Sequence, residues 1–219
     1  MRTIAFVSQK GGCGKSALAA CLAVAAKEAG ELVFVLDMDP RKSVVRWGSK
    51  RNDPLLPVAV VSAATLPAAL AYLSKGNMSL VIVDTPHLES PRTLAAINTA
   101  DLSIVPARPA TLDILAAEVT GHKLKLMGKE FVFLLNQCPP TRQASHVREG
   151  IATLEAVGAL LRPRIRASAD FLEAARTGTG VTEVDPKGEA AQAMRDLWLA
   201  LKRRLRAIQT RGCAEPHTR

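Results

Sequence analysis

The chain has 219 residues, 48% of them hydrophobic and 22% charged, a balance that excludes wholesale disorder and predicts one folded domain with its own core. Only 4% are aromatic, so that core is expected to be aliphatic, built from Ala, Val, Leu and Ile. Twenty-nine Lys and Arg oppose twenty Asp and Glu, and the resulting +9 favours a polyanionic partner, nucleic acid or an anionic membrane face.

In chain order, an apolar β-rich run at 3–8 comes first, then a glycine-dense turn and an Ala- and Leu-rich helix predicted at 16–29, with Gly30 as its C-cap. A second run at 32–36, a helix at 65–73 stopping before Gly76, and a third run at 80–83 follow. A fourth run at 102–105 leads into a helix at 111–126 before Gly128, and a fifth run lies at 131–135. These runs are short and nearly continuous rather than alternating, the pattern of strands covered on both faces. Their alternation with helices predicts an α/β fold, a doubly wound, mostly parallel sheet flanked by helices. Helices are predicted at 150–161, 167–176 and 189–208; in the last, Met194, Leu197, Trp198, Leu201, Leu205 and Ile208 keep 3/4 spacing and form one core-facing stripe. Residues 1–208 are expected to make a single domain, and the polar 209–219 a flexible C-terminal tail.

No apolar run approaches the ~20 residues of a membrane span, and the start passes straight into polar Ser8-Gln9-Lys10, unlike a secretory leader, so a cytoplasmic protein is expected. Cys13, Cys21, Cys138 and Cys213 include no C-x-x-C pair, which argues against a disulfide framework and against a cysteine-built zinc or iron–sulfur centre.

The segment Lys10-Gly11-Gly12-Cys13-Gly14-Lys15-Ser16 stands directly after a strand and directly before a helix, the context of a phosphate-binding loop. Glycines let the backbone turn with positive φ and present successive N–H groups to phosphate oxygens. The helix that follows adds partial positive charge at its N-terminus. Lys15 is placed to reach β- and γ-phosphates, and the Ser16 hydroxyl to ligate Mg²⁺. Asp84, at the carboxyl end of an apolar strand, can hold Mg²⁺ through a water. Asp37 and Asp39, two residues apart at a strand end, are expected to point the same way into one site.

The spacing departs from G-x-x-x-x-G-K-[ST]: Gln9 stands where the first glycine is usual, and Lys10 is an extra lysine. K-G-G-x-G-K-[ST] resembles the deviant Walker A loop of the ParA/MinD family of P-loop NTPases. Leu36-Asp37-Met38-Asp39-Pro40 resembles that family's D-x-D-P segment, Val81-Ile82-Val83-Asp84-Thr85-Pro86 its Walker B, and Pro106-Ala107-Arg108-Pro109-Ala110-Thr111-Leu112-Asp113 the P-x-x-P-S-x-x-D stretch of small ParA proteins. The likeness runs in order from Met1 to about Ile208 and is greatest to ParA partition proteins without a helix-turn-helix extension. Arg41 departs from it, standing where Gln is common; Ala17 replaces a frequent Thr, and His87 follows the D-T-P.

The resemblance implies a slow, partner-stimulated ATPase with ATP and Mg²⁺ as cofactors. Lys10, Gly11, Gly12, Cys13, Gly14, Lys15, Ser16 and Ala17 would hold nucleotide, Asn136 would contact adenine, and Ser16, Asp39 and Asp84 would form the metal set. Asp39 would orient or activate the attacking water, and Asp37 would organise metal-bound water or the loop. Lys10 would cross a two-fold interface to the partner's ATP, making the nucleotide the glue of a homodimer. Late basic residues, Arg164, Arg166, Arg195, Lys202, Arg203 and Arg206, are expected to form a stripe for non-specific double-stranded DNA. The implied task is nucleoid-associated segregation or positioning of plasmid or chromosomal DNA, with hydrolysis stimulated by a ParB-like partner. Alternatives are a MinD-like membrane-surface regulator, a positioner of non-DNA cargo, a role in conjugative DNA transfer, or a metabolic enzyme on the same scaffold.

Overall fold

The computed structural model describes residues 1–139 and 145–214, with 145–147 and 212–214 as backbone only. Among them the strands are β1 (Arg2–Ser8), β2 (Val33–Asp37), β3 (Val58–Val60), β4 (Leu80–His87), β5 (Leu102–Ala107), β6 (Phe131–Leu135) and β7 (Ala159–Leu160). They form one sheet in the order β3-β2-β4-β1-β5-β6-β7, and every described pairing is parallel. The helices are α1 (Lys15–Glu28), α2 (Ser43–Arg51), α3 (Leu66–Lys75), α4 (Pro91–Thr99), α5 (Thr111–Leu126), α6 (Ser145–Val157), α7 (Ala169–Thr177), α8 (Val181–Val184) and α9 (Glu189–Ala214).

Successive strand residues face opposite ways and feed two cores. Ile4, Phe6, Val35 and Ile82 pack on one face against α1, α2, α7, α8 and α9. Ala5, Val7, Val83 and Phe133 pack on the other against α3–α6. Burial on both sides is why the strands read as continuous apolar runs. The parallel arrangement gathers the carboxyl ends of β1, β2, β4, β5 and β6 along one edge, where α/β sheets bind ligands.

The sequence reading misses β3, β7, α2, α4 and α8, all short. It also places the sixth helix at 150–161, whereas α6 ends at Val157. Gly158 donates to the Leu154 carbonyl at 2.9 Å and lies so close to the Phe131 ring that a side chain would not fit, and Ala159–Leu160 then joins the sheet. The last helix continues to Ala214, beyond the Ile208 expected, while 215–219, the rest of the expected tail, lie outside the described residues. Its stripe is as expected, with Met194, Leu197, Trp198, Leu201 and Leu205 all buried. No helix among the described residues is long and apolar enough to cross a membrane.

Candidate nucleotide site

The glycine loop leaves β1 at Ser8, whose hydroxyl accepts the Lys10 N–H at 3.2 Å, and enters α1 at Lys15. Gly12 and Gly14 have φ of +77° and +91°, a region open to glycine without strain. At Gly14 a side chain would also collide with the Asn136 amide. Two residues at the end of β6 brace the loop from below: Asn136 Nδ2 donates to the Cys13 carbonyl at 2.8 Å and Gln137 Nε2 to the Gly12 carbonyl at 3.2 Å. Gly14, the N-cap of α1, has no side chain to occupy the first-turn N–H groups, which leaves them to an anion. Lys15 is buried in the same turn.

Next to the loop, Ser16 Oγ donates to Asp84 Oδ2 at 2.6 Å. Asp84 is fully buried on β4 opposite Asp37 of β2, and its Oδ1 has no hydrogen-bond partner. Burial pushes the Asp84 carboxyl up to about 7; Asp37 and Asp39 add repulsion, while Ser16 and Lys15 oppose the rise. A buried carboxylate oxygen without a partner is unfavourable, and a divalent cation or its bound water satisfies it. Ser16 and Asp84 therefore fit Mg²⁺. No group of three or more His, Cys, Asp or Glu set to hold a metal occurs among the described residues.

Asp37 is fully buried and spends both oxygens on backbone: Oδ2 accepts the Val44 and Val45 N–H groups at 3.0 Å each, and Oδ1 the Asp39 N–H at 2.9 Å. Burial raises its carboxyl against these three bonds. These bonds give Asp37 a positioning role beside the one expected of it toward metal-bound water or the loop. It caps the start of α2, whose own N-cap Lys42 offers no side-chain bond, and aims the Asp39 segment. Arg92 supports the same segment from α4, donating to the Met38 carbonyl at 3.1 Å.

Asp39 lies just past β2, 4% exposed at its side chain, beneath an Arg41 side chain that is 72% exposed. Oδ1 accepts the Arg41 backbone N–H at 2.9 Å and Nε at 3.2 Å, and Oδ2 accepts a terminal guanidinium nitrogen at 3.0 Å. Burial would raise the Asp39 carboxyl, but the Arg41 bonds and charge outweigh it and hold it below its ordinary value.

Lys10 turns to α5 rather than into its own loop. Its Nζ meets Asp113 Oδ2 at 2.7 Å, and Arg108 Nε meets Asp113 Oδ1 at 2.8 Å. Burial of Asp113 is outweighed by Arg108 and Lys10, which hold its carboxyl low.

The fold thus gathers Lys10 to Ala17, Asp37, Asp39, Asp84 and Asn136 at one edge. The late basic residues are distributed differently. Arg166 is bridged to Cys138 through the backbone and paired with Glu189 at 2.7 Å; Arg195 donates to the Pro186 carbonyl at 2.7 Å. Lys202 is paired with Glu31 at 2.8 Å and lies over the Trp198 ring. Arg164, Arg203 and Arg206 are exposed. Sequence reasoning missed the clamping role of Arg41, the Arg108–Asp113 pair and the brace from Gln137. Asp113 was legible as the end of its motif, whereas Gln137 carries no sequence signal.

A family model for the CobQ/CobB/MinD/ParA nucleotide binding domain matches residues 4–181. The chain belongs to that family. This ParA/MinD-type chain is 29% identical over 199 residues to the maintenance of carboxysome distribution protein A of Halothiobacillus neapolitanus, covering 86% of this chain and 90% of the relative. Among solved structures, apo McdA of Cyanothece superposes with a TM-score of 0.75 at 17% identity, covering 94% of this chain and 99% of that one. The septum site-determining protein MinD of Pyrococcus horikoshii, complexed with Mg-ADP, gives 0.74 at 20% identity, covering 94% and 98%. The chain is thus a P-loop nucleotide-binding domain of that family, and its glycine loop with the Ser16–Asp84 pair fits a nucleotide and Mg²⁺.

Proposed function

We propose that this ATPase is a slow, ATP-gated dimerisation switch that binds double-stranded DNA without sequence preference and positions a cargo, its hydrolysis stimulated by a cargo-bound activator. The observation that carries the reading is Lys10, which stands at the mouth of the phosphate loop but pairs with Asp113 instead of serving its own site. A lysine so placed is available to a second copy's phosphates, where its charge would stabilise the transition state.

In this reading Lys15 and the first-turn N–H groups of α1 bind the β- and γ-phosphates, and Ser16 and Asp84 hold Mg²⁺, which neutralises phosphate charge. Asp39 holds the attacking water and accepts its proton. Because nucleotide favours the paired state, it shifts the monomer–dimer balance by its differential affinity, and loss of the γ-phosphate lets the copies part. Arg164, Arg203 and Arg206 supply the exposed part of the phosphate-binding surface.

Plasmid or chromosomal DNA is one cargo, with a ParB-like activator. One observation favours another: the Halothiobacillus relative is named for carboxysome distribution, so a protein-walled body is the second reading for the cargo.

Light scattering with saturating non-hydrolysable ATP analogue and Mg²⁺ tests the switch. A dimer with the analogue and a monomer without it are expected, and a monomer in both overturns the reading. DNA retardation across a salt series tests the surface. Replacing Arg203 and Arg206 by Ala should lower the slope of log K against log salt by roughly 0.9 for each phosphate no longer neutralised. An unchanged slope removes these two residues from the DNA face.

A further inference from the structure

The guanidinium of Arg41 is built over the carboxylate on which the proposed chemistry depends. A carboxylate offers about four lone-pair sites. Three on Asp39 are occupied, and all three donors belong to Arg41: its backbone N–H, its Nε and a terminal nitrogen. The backbone bond closes a turn that any residue at position 41 would keep, and it aims the carboxylate. The two side-chain bonds do something separate. They cover Oδ2 from the solvent side, since Asp39 is buried and Arg41 lies outside it. A general base has to present a free oxygen to water, and a carboxylate bonded to a guanidinium is a weaker proton acceptor. The remaining charged groups around Asp39 are Lys15 on α1, Asp84 on β4 and Asp37 on β2. None of these three donates a side-chain bond to it among the described residues.

We infer that Arg41 is a restraining residue: its guanidinium occupies the general base Asp39 and sets the low resting rate of ATP hydrolysis, and it must swing aside for turnover. Arg41 acts through Asp39 and is a positioning residue. The inference rests on the reading of Asp39 as the base. It also gives a task to the residue that most visibly departs from the motif, where Gln is the common occupant.

The test is steady-state ATP turnover with Mg²⁺ for the wild-type chain, Arg41→Gln, Arg41→Lys, Asp39→Ala and the double variant Arg41→Gln/Asp39→Ala, with folding checked by circular dichroism. Arg41→Gln keeps the turn and removes the guanidinium. Its kcat should rise, by about 1.5-fold to fivefold if the side-chain pair is worth what an exposed ion pair usually is, with KM for ATP within twofold. Arg41→Lys, which keeps a charge but loses the two-point grip, should fall between. The double variant should be as slow as Asp39→Ala. A kcat for Arg41→Gln at or below wild type, with Asp39→Ala inactive, overturns the restraint and leaves the base in place. Wild-type turnover by Asp39→Ala overturns the base, and the restraint with it. A purely structural role for Arg41 predicts loss of rate, never gain.

Discussion

Within the phosphate loop, Gly14 is the position where backbone and neighbours together leave no room for another residue, so Gly14→Ala is the sharpest perturbation of the loop. Its φ of +91° lies in the left-handed half of conformational space, which costs an L-residue roughly 1–2 kcal/mol. The new methyl would also collide with Asn136 Nδ2 and push it off the buried Cys13 carbonyl it holds at 2.8 Å. Leaving such a carbonyl without a partner costs about 1–3 kcal/mol. Together that is about 3 kcal/mol against the binding-competent loop, or roughly 150-fold in Kd for Mg-ATP. Titration with a fluorescent ATP analogue measures it, with circular dichroism confirming the fold. Asn136→Ala supplies the internal control. In the double variant the collision is gone, so binding should be no weaker than in Gly14→Ala alone. A Kd for Gly14→Ala within threefold of wild type, or penalties that simply add, would refute the account.

Two further outcomes follow from the buried charges. Asp84 is raised from an unfolded value of 3.8 to about 7 by burial, so in the cation-free protein it destabilises the fold as pH rises through that window and fully above it. Asp84→Asn should therefore stabilise the nucleotide-free protein at pH 8, by on the order of 1–3 kcal/mol in urea unfolding, while weakening Mg-nucleotide binding; lower stability at pH 8 would contradict this. Glu31 is held at about 2, since Lys202, Ser79 and Arg2 outweigh its burial. A depressed carboxyl contributes stability above its unfolded value of 4.5 and loses it as pH falls toward 2. Glu31→Gln should cost about 2 kcal/mol at pH 7 and clearly less at pH 3; a gap independent of pH would exclude the mechanism.

The parallel sheet and the loop were legible because their signals are local. A strand buried on both faces must be apolar throughout, and a loop that wraps phosphate must be rich in glycine. What escaped is what depends on distance along the chain. β3 and β7, three and two residues long, are strands because neighbouring strands offer their edges, not because Val58–Val60 or Ala159–Leu160 insist on it. Asp37 reads as a second acid of a D-x-D pair, yet its partners are N–H groups of α2, a nine-residue helix that buries only Val44 and Trp47. Lys202 and Arg203 look equivalent in the sequence. Only the fold commits the first to Glu31, 171 positions earlier, and leaves the second exposed. α4, by contrast, was readable in hindsight, since Ser90 caps it and Pro91 opens it.

Asp37 joins two things that need not have been joined. The oxygens of one side chain hold the first turn of α2 and the amide of Asp39. The start of α2 and the Asp39 segment therefore share one anchor, and a change in either is felt at the other. The far end of α2 is tied in turn to the end of α7 and the segment after it, where Lys50 donates to the Arg176 carbonyl at 3.1 Å and Trp47 Nε1 to the Thr179 carbonyl at 2.9 Å. One buried side chain thereby links the Asp39 segment, by way of α2, to a second helix beyond it.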